Sequence, residues 1–368
     1  MSKKWILLSV ATLLVVLVLA ACGGDSNVSQ EDPTEATDNT ADEAADNTAN
    51  EEENNEAGNN EAEPAEEKES YQFRLAETHA PDYPTTLADK HFAELVGERS
   101  DGRITIDVFP SASLGEESAV LEQVQLGSID FTRTSAGPMA EFNEDFGVFS
   151  LPYIFDDDDH VWNFLLSEHG DNLLKSLESS NMMGLAYYSS GARHFYSSEP
   201  INSLEDLEGQ KIRVQQNAIN IDLMNALGAS ATPMDFGEVF SGLQTGVIDA
   251  AENNYPSYYS TRHFEVAPYY ILDGHQRVPE VLVASSSTWE ILDEEDQELI
   301  KQAAIDSIDF QRENWAEFEA FAEEEVRAAG ATIIEVDDVS VWQEAASTVI
   351  DEHGEQYREV LDAIESVR

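Results

Sequence analysis

Two arginines occupy places in the sequence where a guanidinium could hold a carboxylate. Arg213 stands in the apolar pattern Ile212-Arg213-Val214, where a solvent-exposed salt bridge is less expected. Arg133 stands at the carboxyl end of a predicted strand, the end at which α/β clefts bind ligands. The planar fork of arginine matches two carboxylate oxygens. Such a residue could pair with the carboxylate of a bound organic acid or with one of the many acidic side chains of the chain, and residue type and position alone leave both open.

Few patterns in the sequence are typical of a catalytic or metal site. There is no Gly-x-Ser-x-Gly elbow, no His-Glu-x-x-His pair, no Walker loop and no Gly-x-Gly-x-x-Gly fingerprint. The eight histidines show no metal-ligand spacing, and the single cysteine, Cys22, precedes the predicted globular part. Four aspartates at 156–159 could hold a hard cation, but they lack the alternation of an EF-hand loop and precede a predicted helix. We expect no enzyme activity, no cofactor and no metal.

The chain is acidic along its whole length. Its 368 residues include 74 acidic and 19 basic side chains, a formal charge of -55. Residues 71–368 alone hold 57 acidic and 16 basic side chains, or -41. So few cations cannot neutralise a phosphate backbone, which excludes ordinary nucleic-acid binding. The acidity is typical of a partner-docking surface or of a salty or alkaline habitat, where screening reduces self-repulsion, and we predict a halophilic protein.

The N-terminus is typical of an export signal. Lys3 and Lys4 supply positive charge, and the apolar run over 5–20 is shorter than the roughly 20 residues of a membrane-spanning helix. Leu19-Ala20-Ala21-Cys22 resembles a bacterial lipobox, whose cysteine is lipidated and becomes the mature N-terminus. We predict a signal peptide over 1–21 and two acyl chains on Cys22, because one chain binds membranes marginally. The protein would then be lipid-anchored on the extracytoplasmic face of the cell membrane. An uncleaved anchor with an incidental cysteine is the alternative.

Residues 22–70 are predicted to form a disordered acidic tether. Val28 is their only large apolar side chain, and they hold 17 acidic residues against Lys68. Such a segment buries too little surface to offset its ordering entropy, and its like charges extend it. The tether would hold a globular body away from an anionic membrane.

Alternating apolar residues predict the strands that position the candidate arginines. A β-α-β-α-β order over 71–132 predicts parallel strands covered by helices. A similar alternation of predicted strands and helices begins again after Gly191. No Gly or Pro occurs over 294–329, and Asp293 is a suitable N-cap, which predicts a helix of about 36 residues. At about 1.5 Å per residue this helix is long enough to cross two domains. We predict an α/β fold with two hinged lobes, a cleft between them and one long helix spanning both.

Domain boundaries follow from this pattern. Lobe 1 is predicted over 71–190 plus 279–315, and lobe 2 over 191–278 plus 316–368. Amphipathic spacing also predicts a helix over 160–177, and the chain is predicted to close with helix over 339–367.

Several motifs in linked order characterise the body. They are Gly209-Gln210-Lys211-Ile212-Arg213-Val214-Gln215, Pro233-Met234-Asp235-Phe236-Gly237-Glu238, Gly246-Val247-Ile248-Asp249, Ala251-Glu252-Asn253-Asn254 and, upstream, Gln125-Leu126-Gly127-Ser128-Ile129-Asp130, Leu151-Pro152-Tyr153-Ile154-Phe155 and Ser190-Gly191-Ala192-Arg193. Over 71–361 the chain resembles the solute receptors of TRAP transporters, the tripartite ATP-independent systems. The resemblance implies a periplasmic-binding-protein-like fold of two lobes that close on a carboxylate ligand.

The chain departs from the family pattern at Ala250. The family usually has glycine after the aspartate of the Gly246-Val247-Ile248-Asp249 block. Alanine suits this position if its φ is negative, so the departure concerns this turn and not the family.

The resemblance also implies which residues contact the ligand. Arg213 matches the arginine that forms the main bidentate pair with the ligand carboxylate, and Arg193 matches a second arginine near the ligand. Asn253 matches an asparagine that hydrogen-bonds the ligand, and Phe236 matches an aromatic residue that packs near it. Arg133 lies in a block similar to that of the sugar-acid receptors of the family. The structural alternative is pairing with a protein carboxylate for Arg213 and an interlobe pair for Arg193. For Arg133 it is a surface salt bridge, and for Phe236 it is core packing.

Four further polar residues are candidates because of their places in the sequence. His79 follows the first predicted strand and would face the cleft, and Glu117 could accept hydrogen bonds from ligand hydroxyl groups. Gln215 and His275 are polar residues at strand ends. A helix-start acid is the alternative for Glu117, and plain solvation is the alternative for Gln215 and His275.

The implied function is capture of a small organic anion for transport. The ligand would be a sugar acid such as a hexuronate, or a dicarboxylate, and the partners would be the small and large membrane permease subunits of a TRAP transporter. A receptor for a zwitterion such as ectoine is an alternative, but it would need an aromatic cage, and Phe236 is one ring only. A sensory receptor that signals to a membrane kinase is another alternative. A kinase gene beside this gene would favour the sensory receptor, and permease genes would favour transport. A secreted hydrolase is the third.

Overall fold

The computed structural model describes residues 68–368. The predicted signal peptide, Cys22 and the tether up to residue 67 lie outside the described residues. Lys68 already contacts the body, because its Nζ lies 2.8 Å from Glu295 Oε2 and 3.3 Å from Asp293 Oδ2. Among the helices of residues 68–368, none combines the length and the hydropathy needed to cross a membrane.

Eleven strands of the described chain form two separate sheets. In chain order they are β1 (Tyr71–Ala76), β2 (Ile104–Phe109), β3 (Phe131–Ser135), β4 (Met182–Tyr188), β5 (Arg193–Ser197), β6 (Lys211–Val214), β7 (Ser230–Pro233), β8 (Ala250–Asn253), β9 (Tyr269–Gln276), β10 (Glu280–Ser285) and β11 (Thr332–Glu335). The first sheet has the order β2-β1-β3-β10-β4, and the second has the order β11-β9-β5-β8-β6-β7. The predicted α/β fold with two lobes is confirmed, one sheet forming the centre of each lobe.

Twelve α-helices accompany these sheets in residues 68–368. In chain order they are α1 (Pro84–Arg99), α2 (Glu117–Gln125), α3 (Ala136–Met139), α4 (Asp158–Leu165), α5 (Glu168–Ser176), α6 (Ala218–Ala226), α7 (Val239–Thr245), α8 (Tyr255–Ser260), α9 (Ser286–Glu290), α10 (Glu294–Ala328), α11 (Val339–His353) and α12 (Arg358–Ser366). Short 3₁₀ turns, among them Glu144–Ser150 and Phe236–Glu238, link some of them.

The first sheet mixes parallel and antiparallel pairing. β1 pairs in parallel with β2 and with β3, as the β-α-β-α-β pattern predicts. β10 returns from the other lobe and inserts antiparallel between β3 and β4. Every residue of β3 and β10 is buried, because both strands lie inside the sheet and are covered on both faces.

The second sheet contains a strand that the sequence did not predict. β6 pairs in parallel with β7 and β8, and β5 pairs antiparallel with β8 and β9. The missed strand is β7, whose sequence Ser-Ala-Thr-Pro has no apolar alternation. It lies at the edge of the sheet, where a terminal proline is tolerated.

The long helix α10 packs against both halves of the molecule. It spans 35 residues, and the side chain of its N-cap Asp293 accepts a hydrogen bond of 2.8 Å from Asp296 N, as the sequence predicts. Near its start, Ile300 lies in the core that contains β1 and β10. Near its end, Val326 lies in a core with Tyr196 of β5 and Tyr270 of β9. The predicted helix spanning two lobes is confirmed.

The middle of α10 also contacts one of the two short chain segments that join the sheets, the long helix itself forming the third connection. Residues 189–192 connect β4 to β5, and residues 277–279 connect β9 to β10. Gln311 Oε1 accepts a hydrogen bond from Ser189 N (2.7 Å), and Gln311 Nε2 donates to Ser189 O (3.0 Å). Gly191 has a φ of 60°, and a Cβ there would overlap Glu319 of α10. Glycine adopts this φ with the least strain, so it is favoured at the crossing that leads into Arg193.

Two predicted helices are each divided into two. The predicted helix over 160–177 ends at Leu165, and Ser167 starts a new helix because its Oγ accepts hydrogen bonds from His169 N and Gly170 N. The predicted closing helix is broken between His353 and Arg358. The apolar spacing continues through both breaks, so periodicity alone did not reveal them.

Three of the four aspartates at 156–159 have side-chain partners in this fold. Asp157 is the N-cap of α4, and its Oδ1 accepts a hydrogen bond of 2.9 Å from His160 N. Asp158 pairs with Arg277 of the second crossing, and Asp156 pairs with Arg368.

Ala250 begins β8 and is not among the residues with positive φ, so alanine replaces the family's usual glycine without strain.

Candidate functional site

A small cavity, of about 20 Å³, lies between the two sheets. Its walls come from both lobes and include eleven residues: Thr78, His79, Glu117, Ser135, Arg193, Arg213, Gln215, Phe236, Asn253, Ser257 and Glu280. Seven of the nine predicted site residues are among them, and Arg133 and His275 are not.

Strand direction explains why these residues meet. Four strands with the same direction within their sheets end at the cavity and supply the residues at or just after their carboxyl ends: His79, Ser135, Gln215 and Asn253. β5 and β10 run in the opposite direction, so their first residues, Arg193 and Glu280, lie at the same edges. The carboxyl ends of parallel strands are the usual ligand edge of an α/β sheet.

Arg213 is a buried arginine that forms no ion pair within residues 68–368. It is 4% exposed on β6, and its Nε donates a hydrogen bond of 3.0 Å to Met234 O. Its guanidinium carbon lies 5.8 Å from the centre of the Phe236 ring. Burial lowers the pKa of Arg213, and the carboxylate of Glu252 acts in the opposite direction. A buried cation without a counter-ion favours an anionic ligand, because the anion restores the interactions lost with water.

Arg193 lies beside Arg213 but already has a carboxylate. It forms an ion pair with Glu252, and its Nη1 donates a hydrogen bond of 3.2 Å to Asn253 Oδ1. Burial alone would raise the pKa of Glu252, but the charge of Arg193 outweighs it and lowers the pKa to about 2. Arg193 is thus held rigidly on the wall, with its charge balanced before any ligand arrives.

His275 lies one contact behind the cavity wall. Its Nδ1 is 2.6 Å from Asp273 Oδ2, its Nε2 is 3.7 Å from Glu252 Oε2, and its ring stacks on Phe195 at 4.4 Å. Burial alone would lower the pKa of His275, but the carboxylates of Asp273 and Glu252 outweigh it and raise the pKa to about 9. The protonated ring therefore supports Glu252, which in turn holds Arg193.

The His275 cluster predicts a loss of stability at alkaline pH. A group whose pKa rises from 6.5 on folding to about 9 stabilises the fold fully below pH 6.5, and this contribution is lost as the pH rises through 9. The loss should be about 3 kcal/mol between pH 6.5 and 9.5, because one pKa unit corresponds to about 1.4 kcal/mol. Urea unfolding across this pH range measures it. The curve for His275→Gln should be flatter, and parallel curves for the two proteins would contradict the assignment.

Arg133 is buried in the first lobe, away from the cavity surface. Its guanidinium pairs with Glu77, with Glu117 Oε1 at 3.0 Å and with Glu280 Oε2 at 2.6 Å. The structure therefore brings Arg133 together with three protein carboxylates and does not place it on the cavity wall. Its contact with the cavity is indirect, through Glu117 and Glu280, which are lining residues.

Two aromatic residues close the cavity near β1. The His79 ring stacks on Tyr83 at 3.9 Å and meets the edge of Phe236 at 5.3 Å. Burial lowers the pKa of His79 to about 3, so the ring is neutral at physiological pH and can both donate and accept a hydrogen bond. Phe236 comes from the second lobe and His79 from the first, so the contact joins the two walls.

A hydrogen bond also joins the lobes at the opposite rim. Gln215 Nε2 donates to Ser135 Oγ at 2.8 Å, while Gln215 Oε1 is buried without a hydrogen-bond partner in residues 68–368. A buried amide oxygen without a donor is unfavourable, and a ligand hydroxyl group could satisfy it.

Several buried acids at the site were not predicted. Glu77 and Glu280 pair with Arg133, Glu252 pairs with Arg193, and Asp89 on α1 is fully buried nearby. Burial raises the pKa of Asp89, and the nearby charge of Glu77 adds to the effect. The sequence gives only a weak signal for these buried acids. Glu280 precedes the apolar run Val281-Leu282-Val283-Ala284, where an acidic residue is unexpected.

One group of side chains in residues 68–368 has the proximity of metal ligands, and it is separate from the cavity. It consists of Asp222 on α6 with Glu352 and His353 on α11. None of the three lines the cavity.

Within residues 68–368, the cavity itself offers the unpaired cation of Arg213, the paired Arg193, two side-chain amides and two carboxylates. This arrangement can bind and orient a small polar anion.

Comparison with other proteins gives the site a context. A profile of the DctP family, bacterial extracellular solute-binding protein, family 7, matches residues 75–357. A solute-binding protein of Chromohalobacter salexigens is 36% identical over 291 residues, which cover 79% of this chain and 87% of that protein. The similarity therefore extends across both sheets and the long helix.

Two solved structures are also similar. A TRAP periplasmic solute binding protein of Pseudomonas putida F1, with bound D-glucuronate, is 39% identical with a TM-score of 0.80, over 81% of this chain and 98% of that chain. A TRAP periplasmic solute binding protein of a Bradyrhizobium species, in complex with α/β-D-galacturonate, is 39% identical with a TM-score of 0.79, over 80% of this chain and all of that chain (100%).

The fold, the cavity and these relatives agree. Proteins of this family are extracytoplasmic solute receptors that bind small anionic ligands and work with membrane permease subunits. The matched region includes both chain crossings, the long helix and all eleven residues of the cavity wall. This chain belongs to the DctP family of bacterial extracellular solute-binding proteins, the solute receptors of TRAP transporters.

Proposed function

We propose that this protein captures a hexuronate such as D-glucuronate or D-galacturonate and delivers it to the permease of a TRAP transporter. The observation that carries the proposal is Arg213, a buried guanidinium on the cavity wall that forms no ion pair within residues 68–368. Two similar structures, each 39% identical, hold a hexuronate, which supports this ligand class over a dicarboxylate or ectoine.

In the proposed complex Arg213 forms a bidentate pair with the ligand carboxylate. Arg193 and Asn253 lie beside it, and Arg193 Nη1 holds the Asn253 side-chain oxygen so that the amide NH2 of Asn253 can donate to the ligand. His79, Glu117 and Gln215 supply the hydrogen bonds for hydroxyl groups. Phe236 supplies an apolar surface against the sugar ring.

Ligand capture is proposed to depend on closure of the two lobes. The boundaries that we propose are 71–190 plus 279–315 for lobe 1 and 191–278 plus 316–368 for lobe 2, with the crossings at 189–192 and 277–279 near them. The protein at -41 over residues 71–368 repels an anion in solution. The attraction must therefore come from the enclosed arginines, because interactions away from water are less screened.

The test is a ligand screen on the protein comprising residues 23–368. D-Glucuronate, D-galacturonate, succinate and ectoine would each be added at 10 mM, and the thermal midpoint would be measured at two salt concentrations. A ligand at about 100 times its Kd adds about 2.7 kcal/mol to the free energy of unfolding, so a hexuronate should raise the midpoint by several degrees. A shift with succinate or ectoine and none with either hexuronate would reject the proposed ligand class.

We further propose that Cys22 carries a lipid anchor. The support is the sequence Leu19-Ala20-Ala21-Cys22 after an apolar run. Cys22→Ala should move the protein from the membrane fraction to the soluble fraction of lysed cells, because the acyl chains supply the membrane affinity. Immunoblots of the two fractions measure this, and Ser26→Ala is the control. Equal membrane retention of both variants would contradict the anchor.

The acidic surface is proposed to be an adaptation to a salty or alkaline habitat. The charge of -41 in residues 71–368 is spread over both lobes, and the buried arginines of the site are removed from the solvent that surrounds most of it. Salt screens repulsion between exposed carboxylates while leaving buried pairs nearly unaffected.

A further inference from the structure

The two sides of the cavity differ in charge. Arg213 enters from the second sheet with a guanidinium that forms no ion pair within residues 68–368. Glu117 and Glu280 enter from the side of the first sheet, as the first residues of α2 and of β10. A ligand that spans the cavity therefore meets a cation at one end and two carboxylates at the other.

The carboxylates at the acidic end are held in place from behind. Arg133 Nη1 donates to Glu117 Oε1 (3.0 Å) and to Glu280 Oε2 (2.6 Å), and the same guanidinium pairs with Glu77. Ser135 N donates a further hydrogen bond of 3.0 Å to Glu117 Oε1. One guanidinium among three carboxylates leaves a formal charge of -2 in this cluster, and Arg193, which also faces Glu280, is already paired with Glu252.

Each wall carboxylate keeps one oxygen for the ligand. Protein donors in residues 68–368 occupy Oε1 of Glu117 and Oε2 of Glu280, and the other oxygen of each side chain has no such donor. An ionised carboxylate can only accept hydrogen bonds, so its partner must be a donor. A hydroxyl group supplies that donor, whereas a second ligand carboxylate supplies only negative charge.

We propose that Glu117 and Glu280 make the cavity selective for a monocarboxylate with hydroxyl groups at its far end, and that they exclude sugar diacids of the same length. This inference rests on the proposed hexuronate function and adds the basis of its specificity. Discrimination comes from an unfavourable contact with the wrong ligand as much as from a favourable contact with the right one. Like charges placed together across an interface reduce affinity strongly, and we expect a difference of at least about 100-fold.

Protonation of Glu280 should relax the discrimination. Burial raises the pKa of Glu280, Arg133 opposes this, and Glu117 adds to it. The charged groups that face it come from four elements and the opposite wall: Arg133 on β3, Glu77 after β1, Glu117 on α2, Asp89 on α1 and Arg193 on β5. A raised pKa means that Glu280 becomes neutral at a higher pH than an ordinary glutamate, so the diacid should be rejected less at pH 5.5 than at pH 8.

The experiment compares acyclic sugar acids that differ at one carbon. D-Gluconate ends in a CH2OH group where D-glucarate has a second carboxylate, and D-glucuronate and D-galacturonate complete the panel. Isothermal titration calorimetry at pH 8 gives each Kd. The tightest monocarboxylate should bind at least about 100-fold more tightly than D-glucarate. A ratio below tenfold would overturn the inference.

Two variants test the residues themselves. Glu280→Gln and Glu117→Gln each remove one negative charge with little change in shape, and each should reduce the monocarboxylate-to-glucarate ratio by at least tenfold. The Glu117 side chain is 15% exposed at a helix start, whereas that of Glu280 is 7% exposed inside a sheet, so the Glu117 variant should fold even if the Glu280 variant does not. Glu122→Gln, exposed on the same helix α2, is the matched control and should leave the ratio unchanged.

The outcomes separate this inference from the proposed function. Tight binding of both a hexuronate and glucarate would overturn the inference and leave the hexuronate function intact. Binding of no sugar acid of either kind would overturn both. An unchanged ratio in Glu280→Gln and Glu117→Gln, with normal thermal unfolding, would also overturn the assignment to these two residues.

Discussion

Replacing Arg213 by alanine is expected to weaken hexuronate binding by about 100-fold or more. Two charge-assisted hydrogen bonds in a bidentate pair contribute about 1.5–3 kcal/mol each, and tenfold in Kd corresponds to about 1.4 kcal/mol. Within residues 68–368 Arg213 makes one hydrogen bond, from Nε to Met234 O, so its other N–H groups remain available to a ligand. Calorimetry of the purified variant with D-glucuronate measures the change.

Two further variants give this prediction its controls. Arg213→Lys keeps the charge but loses the planar fork, so it should recover part of the affinity. Arg358→Ala removes an exposed arginine on α12 that pairs with Glu355, and its Kd should equal that of the unchanged protein. Similar losses in Arg358→Ala and Arg213→Ala would show that Arg213 is not the anion site.

Removing Arg133 should have the largest effect on stability. Glu77, Glu117 and Glu280 would then face one another in a buried cluster with no cation, because Arg133 is the only basic side chain that pairs with them in residues 68–368. Breaking a buried ion pair from one side costs about 3–5 kcal/mol. We expect Arg133→Met to lower the free energy of unfolding by this amount, as measured by urea unfolding at pH 8.

The matched control for this variant is Arg99→Ala. Arg99 pairs with Asp306 between α1 and α10 at the surface of the same lobe, and an exposed pair contributes about 0–1 kcal/mol. The unfolding midpoint of Arg133→Met should therefore lie clearly below that of Arg99→Ala. Equal unfolding midpoints would mean that the Arg133 cluster is no more important to the fold than a surface salt bridge.

Local patterns in the sequence were sufficient to predict the two-lobed architecture. The strands β1, β2 and β6 coincide with runs in which apolar side chains alternate, because one or both faces of each strand are buried. The long helix was predictable because its residues include no Gly or Pro and Asp293 caps its start. The break at Ser167 was not predictable from periodicity, since one serine side chain supplies the cap there.

The candidate site was predictable through its arginines and not through its acids. Arg213 was recognisable because a charged residue in an apolar strand needs a partner, and basic residues are rare in this chain. Glu77, Asp89 and Glu280 were not recognisable, because residues 71–368 hold 57 acidic side chains and nothing local marks the few that are buried. Arg133 illustrates the consequence: it was expected to bind the ligand, and its charge faces three of those acids.

A crystal structure of the protein grown with D-glucuronate tests the central claim most directly. The account predicts both oxygens of the ligand carboxylate at about 2.7–2.9 Å from the Arg213 guanidinium, inside the cavity between the two sheets. Ligand hydroxyl groups should lie against Glu117 and Glu280. A carboxylate bound elsewhere, with Arg213 paired to a protein acid or facing solvent, would contradict it.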